Sequence, residues 1–300
     1  MQKIIVNQIL KRIEFIEFIG NKKSEIHRMI ELDPKNSDLN VIFWCSDKNL
    51  NKLKFVNAGS VIVSNRVDKS VFKKSCNYII VDNPRNTFRE ILEKFFIEKP
   101  EFKICNSASV HKNVKLGKNV FIGENVVVEE DVEIGNNVII QHNTVIFKNT
   151  KIGDYVVIGA NNTIGGVGFG YEKDKNGDFQ LIPHIGNVII KDNVEIGNNT
   201  CIDKAVLGST ILYENVKVDN LVHIAHGVKV GKNSVVIANA MVAGSVEIGE
   251  NSWIAPSVSI LNQKKVGANA LIGIGAVVLK DVEQGDVVVG NPGKVIKKNV

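Results

Sequence analysis

An aliphatic residue returns every six positions through most of this 300-residue chain. The series runs without a gap from Val110 to Ile164 and resumes at Ile190. After a four-residue insertion it continues from Leu212 to Val278. Glycine often follows the aliphatic residue, and a small or β-branched residue lies four places after it. About 25 copies of this pattern make an internal repeat the property that most constrains the fold.

A period of six matches neither the 3.6-residue period of a helix nor the two-residue period of a strand. A chain wound into triangular coils with three six-residue sides explains it. Aliphatic side chains then point inward, small residues lie near the corners, and Gly and Asn supply the positive φ angles of the turns. Each coil takes about 18 residues and stacks on the next at roughly the 4.8 Å spacing of strands. The sequence therefore predicts a mainly β domain over 108–300.

Residues 1–100 lack the six-residue period and predict a domain of a different kind. Short apolar runs predict buried strands at 41–45, 60–64 and 78–82. Apolar residues recur on one face of 87–97, which predicts a helix with Thr87 at its N-cap. We expect a small α/β domain here, followed by a linker formed by Pro100 and the following ten residues.

Composition excludes several classes of protein. No run of 18 apolar residues occurs, so no membrane span is expected. The N-terminus mixes Lys and Glu with its apolar residues, which argues against a secretory signal. The four cysteines lie far apart with no CxxC pair, which is typical of reduced thiols in a cytoplasmic protein. The net charge of +5 comes without aromatic-basic patterning, so we expect no nucleic-acid partner.

Three motifs indicate a family. They read IGGVGFGY at 164–171, IPHIGNVIIKDNVEIGNNTCID at 182–203 and VDNLVHIAHGVKVG at 218–231. With them the chain resembles the hexapeptide-repeat N-acyltransferases of the lipid A pathway, which act on UDP-3-O-acylglucosamine. The resemblance implies a left-handed parallel β-helix, a homotrimer with active sites between neighbouring prisms, and a uridine-binding N-terminal domain.

The resemblance also implies a catalytic apparatus. His226 is the histidine of the IAH motif and is expected to be the general base that takes a proton from the attacking amine. Gly244 occupies the same repeat position one coil later, so its N–H is expected to stabilise the thioester oxyanion. Asp219 matches an aspartate of the family motif and is expected either to orient His226 or to bond its own turn. No Ser or Cys stands beside His226 in the repeat register, and Cys201 is interpreted as packing, so direct transfer without an acyl-enzyme is expected.

The loop at 165–187 interrupts the repeat and is expected to shape the cleft for the acceptor, the alternative being a solvent-exposed insertion. The residues of this loop expected to bind substrate are Phe169, Tyr171 and His184, and His223 is expected to bind it from outside the loop. In the N-terminal domain Asn83 lies in an Asn-Pro pair that resembles the uracil-binding motif. Arg85 follows where the family has tyrosine, which leaves the nucleotide base open among UDP, dTDP and GDP.

The C-terminal sequence departs from the lipid A enzymes. Gln263 stands where that family tends to have a second histidine, and IGIGAVVLKDVEQGDVVVGNPGKVIKK replaces terminal helices that engage acyl carrier protein. This ending resembles acetyl-CoA-dependent sugar N-acetyltransferases, whose last coils form the coenzyme A channel. The resemblance implies a cofactor site in which small residues flank pantetheine and lysines meet phosphates as point charges. Its members are Gly273, Gly275, Ala276, Lys280 and Lys294.

Two functions follow for an N-acyltransferase of this kind. The first is transfer of a short acyl group from acyl-CoA to a nucleotide-linked amino sugar for surface polysaccharide. The alternative is the lipid A enzyme itself, with a 3-hydroxyacyl carrier protein as donor.

A metal hydratase is a third hypothesis, but it needs three converging histidines. The chain has one close pair, His223 and His226, which we expect to point to opposite sides of an extended chain, so no metal is expected. A purely structural solenoid is the fourth.

Overall fold

The computed structural model describes residues 3–98 and 101–299. The chain divides into two compact units, Met1–Lys99 and Pro100–Val300. Of the predicted linker, Pro100 lies outside the described residues, and Ser109–Val110 at its end is already a strand of the second unit. Within the described part of the chain, no helix is long and apolar enough to cross a membrane.

A five-stranded sheet forms the centre of the first unit. In sheet order its strands are Glu17–Ile19, Cys76–Val81, Gly59–Ser64, Val41–Trp44 and Arg28–Met29. The first of these is antiparallel to its neighbour and the others are parallel. A separate antiparallel pair joins Ile4–Ile5 to Glu25–Ile26. Two apolar clusters cover the two faces of the sheet, which is why its parallel strands appear in the sequence as continuous apolar runs.

The helices of this unit surround the sheet. Their bounds are Val6–Leu10 and Pro84–Ile91 for the α-helices, Leu92–Phe96 for a π-helical turn, and Asp47–Phe55 and Lys69–Val71 for 3₁₀ helices. The predicted cap at Thr87 is wrong, because the helix begins three residues earlier and Thr87 is buried within it. The Asn83 side chain accepts a hydrogen bond from the Asn86 N–H at 3.1 Å, and Pro84 fills the first helical position.

The second unit is a prism with three parallel sheets, which confirms the predicted β-helix. We call these sheets the first, second and third faces, in the order in which each coil visits them. The first face contains Phe121–Ile122, Ile139–Ile140, Val157–Ile158, Glu195–Ile196, Lys217–Val218, Val235–Val236, Trp253–Ile254, Leu271–Ile272, Asp286–Val289 and Lys294–Lys298. The second contains Ser109–Val110, Val127–Val128, Val145–Ile146, Thr163–Val167, Cys201–Lys204, His223–Ile224, Met241–Val242, Ser259–Ile260 and Val277–Val278. The third contains Lys115–Leu116, Glu133–Ile134, Lys151–Ile152, Asn187–Ile190, Ser209–Leu212, Lys229–Val230, Glu247–Ile248 and Lys265–Val266.

The six-residue period sets both the core and the corners of this prism. The last residue of most two-residue strands points inward, and these residues pack into one continuous apolar core. Ile140, Ile146 and Ile158, for example, are fully buried. Non-glycine residues with positive φ recur at the corners, and most of them are asparagines such as Asn137 at φ 57° and Asn143 at φ 58°. Asparagine tolerates this left-handed conformation better than most residues, which explains its frequency at the turns.

Two insertions interrupt the coils. The longer one forms an antiparallel hairpin of Tyr171–Lys173 with Phe179–Leu181. The shorter one lies at 205–208, between a strand of the second face and a strand of the third. At the C-terminal end the final strand of the first face turns back antiparallel to Asp286–Val289, and so covers the edge of that face.

Candidate functional site

A cavity of about 330 Å³ opens at the prism edge where the second face meets the third. Its wall includes His226 and Gly244 from successive coils, His223 and Asp203 from the second face, and Phe169 from the hairpin insertion. The structure thus brings four sequence-predicted residues together, and adds one aspartate that the sequence analysis did not single out.

The His226 imidazole lies directly against the backbone of Gly244. A Cβ on Gly244 would lie 2.6 Å from Cε1 and 2.7 Å from Nε2 of His226, closer than any side chain allows. The two coils are joined beside this contact, because the Ser245 N–H donates to the His226 carbonyl at 2.9 Å. Glycine is therefore required at 244 for the imidazole to occupy this position.

The Gly244 N–H is free to bind a ligand. Elsewhere in the prism the N–H at this repeat position often donates to a side chain one coil along. Asn136, for example, donates to Asp154 Oδ1 at 2.6 Å, and Ala160 to Asn198 Oδ1 at 2.7 Å. Within the described ranges, no group accepts the Gly244 N–H. A backbone N–H that lines a cavity without a protein partner can stabilise a developing oxyanion.

His184 packs edge-on against the base candidate. The His184 and His226 rings have centroids 5.3 Å apart and planes at 81°. The Nδ1–H of His184 donates to the Ile182 carbonyl at 2.7 Å. Its Nε2 is buried and has no hydrogen-bond partner among residues 3–98 and 101–299. The hairpin insertion therefore contributes a second imidazole to the wall that encloses His226.

These surroundings favour the neutral form of His226. Burial lowers the pKa of the His226 imidazole, and the neighbouring His184 lowers it further, while the Asp203 carboxylate opposes them. Removing an imidazole from water disfavours its cation. The neutral ring, which can accept a proton, therefore persists to a lower pH than in an exposed histidine. A neutral imidazole beside an unpaired N–H is an arrangement suited to acyl transfer.

Gly168 lets the insertion lie close to both imidazoles. A Cβ on Gly168 would be 3.0 Å from His226 Cβ and 3.1 Å from His184 Nε2. Any larger residue would push the loop away from the ring. The aromatic residues of the insertion are largely exposed, with Phe169 83% and Phe179 67% accessible. Tyr171 packs against Phe169 at 4.9 Å between ring centroids.

Asp203 and His223 form a hydrogen-bonded pair in the cavity. Asp203 Oδ2 lies 3.0 Å from His223 Nε2, and the Asp203 side chain is 13% exposed. This hydrogen bond raises the pKa of His223. The sequence carried a signal for Asp203, since the aspartate lies in the CID segment of a family motif. The strand Cys201–Lys204 is also longer than most strands of its face, which places Asp203 at the rim of the cavity.

One expectation about side-chain direction is wrong, and one of the two roles expected for Asp219 is not found. His223 and His226 line the same cavity, because the chain turns a corner after Ile224 and Gly227 adopts φ +71°. The structure does not join Asp219 to His226. Asp219 follows a strand of the first face and so lies at another prism edge, where it accepts hydrogen bonds from Asn220 at 2.7 Å and from the Ala238 N–H at 3.2 Å. Of its two predicted roles, these contacts support the turn.

The residues expected to bind coenzyme A do not form a groove beside His226. Ala276 is fully buried in the prism core. Gly273 is covered, since a Cβ there would lie 2.8 Å from Val289 Cγ1. Gly275, Lys280 and Lys294 are exposed, and none of the five lines the cavity. Asn83 belongs to the other unit, where it caps a helix.

The metal-hydratase hypothesis requires a set of side chains that can bind a metal ion. Within the two described ranges, no three His, Cys, Asp or Glu side chains lie close enough together to hold a metal ion.

Comparison with known proteins identifies similar acyltransferases. Residues 113–148 and 131–166 match the family described as bacterial transferase hexapeptide (six repeats). The UDP-3-O-acylglucosamine N-acyltransferase of Helicobacter pylori (strain HPAG1) is 40% identical over 233 residues, which is 73% of this chain and 69% of that protein. The protein of that name from Campylobacter lari is 39% identical over 242 residues, covering 76% and 74%. The solved UDP-N-acetylglucosamine acyltransferase from Campylobacter jejuni has a TM-score of 0.60 and 27% identity, covering 66% of this chain and 75% of its own.

These relatives overturn the first functional hypothesis. A short-chain transfer from acyl-CoA to a surface-polysaccharide sugar was inferred from the C-terminal sequence. The relatives align with about three quarters of the chain, and their names give UDP-3-O-acylglucosamine as the acceptor. The structure gives a physical reason for the error, because the C-terminal strand Lys294–Lys298 covers a sheet edge and does not build a channel beside His226.

Proposed function

Since the chain belongs to the family of UDP-3-O-acylglucosamine N-acyltransferases, we propose that it acylates the amino group of UDP-3-O-acylglucosamine in the lipid A pathway. The proposed donor is a 3-hydroxyacyl group held as a thioester on acyl carrier protein, as the resemblance to the lipid A enzymes implies. One observation carries the proposal: the His226 imidazole and the unpaired Gly244 N–H face one cavity from adjacent coils.

The reaction proceeds by direct transfer. The amine nitrogen of the acceptor attacks the thioester carbon, and a C–N bond forms. His226 Nε2 takes the proton that the nitrogen loses, and the Gly244 N–H donates to the carbonyl oxygen as it gains negative charge. The C–S bond then breaks, the oxygen returns to a carbonyl, and the proton passes from His226 to the thiolate. An imidazole kept neutral by burial is ready for the first of these steps.

The proposal also covers the oligomeric state and the unit that binds the nucleotide of the acceptor. We infer a homotrimer, in which exposed apolar residues of the hairpin insertion such as Phe169, Phe179 and Ile185 contact a second copy. The N-terminal unit is proposed to hold the uridine. Asn83 Oδ1 is already engaged at a helix cap, which leaves its NH₂ group to meet the base. The free cysteines, three of them buried, are consistent with a cytoplasmic enzyme.

A donor assay tests the proposal. Purified full-length protein is given UDP-3-O-acylglucosamine with 3-hydroxyacyl carrier proteins, acetyl-CoA and longer acyl-CoAs in separate reactions. We expect N-acylated product with the carrier protein and at least about 100-fold lower kcat/KM with any acyl-CoA, because only the carrier adds binding energy outside the cavity. Turnover with acyl-CoA alone, or no turnover with any donor, would overturn it.

A further inference from the structure

An amine and a hydroxyl make different demands on an acyltransferase site. An attacking primary amine has two N–H groups and one lone pair, and the lone pair must point at the thioester carbon. Both N–H groups are then directed at the surrounding protein. A hydroxyl has one O–H and two lone pairs, so it needs one acceptor and leaves a lone pair facing the wall. A site that holds two acceptors around the nucleophile therefore favours the amine.

His226 Nε2 supplies one acceptor, and the cavity contains a second. Asp203 Oδ2 accepts from His223, but no donor in the described residues reaches Asp203 Oδ1. The carboxylate lines the same cavity as His226 and Gly244, and its charge acts on the His226 ring. The Asp203 side chain is 13% exposed, and a carboxylate oxygen without a protein donor is available to accept a hydrogen bond from a ligand in the cavity.

We propose that Asp203 Oδ1 accepts one N–H of the acceptor's amino group while His226 accepts the other, and that this pair selects an amine over a hydroxyl. The inference rests on the proposed function. The proton balance is unchanged: His226 takes the proton that leaves, and Asp203 retains its hydrogen bond to the N–H that remains in the product amide. A hydroxyl acceptor would place an oxygen lone pair against the Asp203 carboxylate, and this repulsion disfavours it.

His223 acts as a positioning residue in this scheme. Its Nε2–H donates to Asp203 Oδ2 at 3.0 Å, which fixes the orientation of the carboxylate that lines the cavity. The His223 side chain is 44% exposed, so it is not itself required to fill the core. Glutamine can preserve the N–H donor, whereas leucine cannot.

The test compares two acceptors that differ in one atom group. UDP-3-O-acylglucosamine and its analogue with a hydroxyl in place of the amine are assayed with one donor, in wild type and in Asp203→Asn. Asparagine keeps its shape but presents NH₂ to the cavity when its oxygen accepts from His223. We expect kcat/KM for the amine acceptor to fall about 100-fold in Asp203→Asn, the size of a lost hydrogen bond to a charged group. The kcat/KM for the hydroxyl analogue should fall much less.

Asp192→Asn is the matched control, since Asp192 accepts from the Asp154 N–H at 2.8 Å at a different prism edge.

The outcomes separate the two proposals. An active wild type whose amine-to-hydroxyl ratio is the same in Asp203→Asn would overturn the role of Asp203 and leave the proposed function standing. A wild type inactive toward the amine acceptor would overturn both. If Asp203→Asn does not fold, the His223 variants decide: we expect His223→Gln to keep the ratio and His223→Leu to lower it, and equal ratios in the two would contradict the inference.

Discussion

The Nε2 atom of His226 lies 2.7 Å from the point at which a Cβ would project from Gly244. The proposed general base and the proposed oxyanion donor are therefore in direct contact, and His226 can occupy its position only because residue 244 has no side chain. The chemistry and the repeat are linked, because the two residues hold the same position in successive coils.

We expect Gly244→Ala to lower kcat by about 100-fold, the loss associated with misplacing a catalytic group by about 1 Å. The added methyl group must displace the His226 ring, although the N–H at 244 is retained. Steady-state kinetics measure the effect, and circular dichroism at rising temperature shows whether the prism is intact. Wild-type kcat in this variant would contradict the close contact.

The pH profile reports the environment of His226. Because burial and His184 lower the pKa of His226, the neutral base persists below its ordinary pKa of 6.5. The acidic limb of kcat/KM should therefore have its midpoint below 6.5. Replacing His184 with Gln removes one cause of the lowering, so the limb should move to higher pH. His142→Gln changes a histidine that lies outside the cavity, so it should leave the midpoint of the acidic limb unchanged. An unchanged midpoint in His184→Gln would contradict the inference that His184 lowers the pKa of His226.

We expect the loss of folding free energy on truncating a side chain to follow the burial of that side chain in the prism. Ile254 is fully buried in the prism core, whereas Leu279 is 47% exposed. Truncating a buried isoleucine to alanine costs about 2–5 kcal/mol through lost burial and the cavity that remains. We expect Ile254→Ala to fall in this range and Leu279→Ala to cost about 0.5 kcal/mol or less. Denaturant unfolding measures both, and equal losses would contradict the assigned core.

Direct transfer predicts that no acyl group becomes attached to the protein. Cys201 is the exposed cysteine among the four, and it pairs in register with His223 on the second face. We expect Cys201→Ser to retain activity within about threefold, and mass spectrometry of quenched reactions to find unmodified protein, because covalent catalysis would require an activated nucleophile. An acyl adduct on Cys201 during turnover would refute the mechanism.

The sequence predicted the prism and the pairing of His226 with Gly244 for the same reason. Both depend on an offset of one 18-residue coil, and a one-dimensional repeat converts that offset directly into a contact. Asp203 was missed because the insertion at 205–208 enlarges its coil, so that Cys201 pairs with His223 at an offset of 22. Sequence spacing alone does not show which side chains such an enlarged coil brings together.

The errors have local physical causes as well. Asp219 is seven residues from His226, but it lies after the first face whereas His226 lies after the second, so the second face separates their two corners. The start of the apolar face predicts a helix cap at Thr87, whereas Asn83 and Pro84 form the stronger start signal. The C-terminal sequence was interpreted as a cofactor channel because it has small residues, although Ala276 points into the core.

The most direct test of the account is the product formed by wild type and by His226→Ala from UDP-3-O-acylglucosamine and a 3-hydroxyacyl carrier protein, identified by mass spectrometry. The account predicts a new amide on the sugar nitrogen in wild type and a rate lower by about 100-fold or more in the variant, the contribution typical of a general base. Undiminished amide formation by His226→Ala, or no amide from wild type, would contradict it.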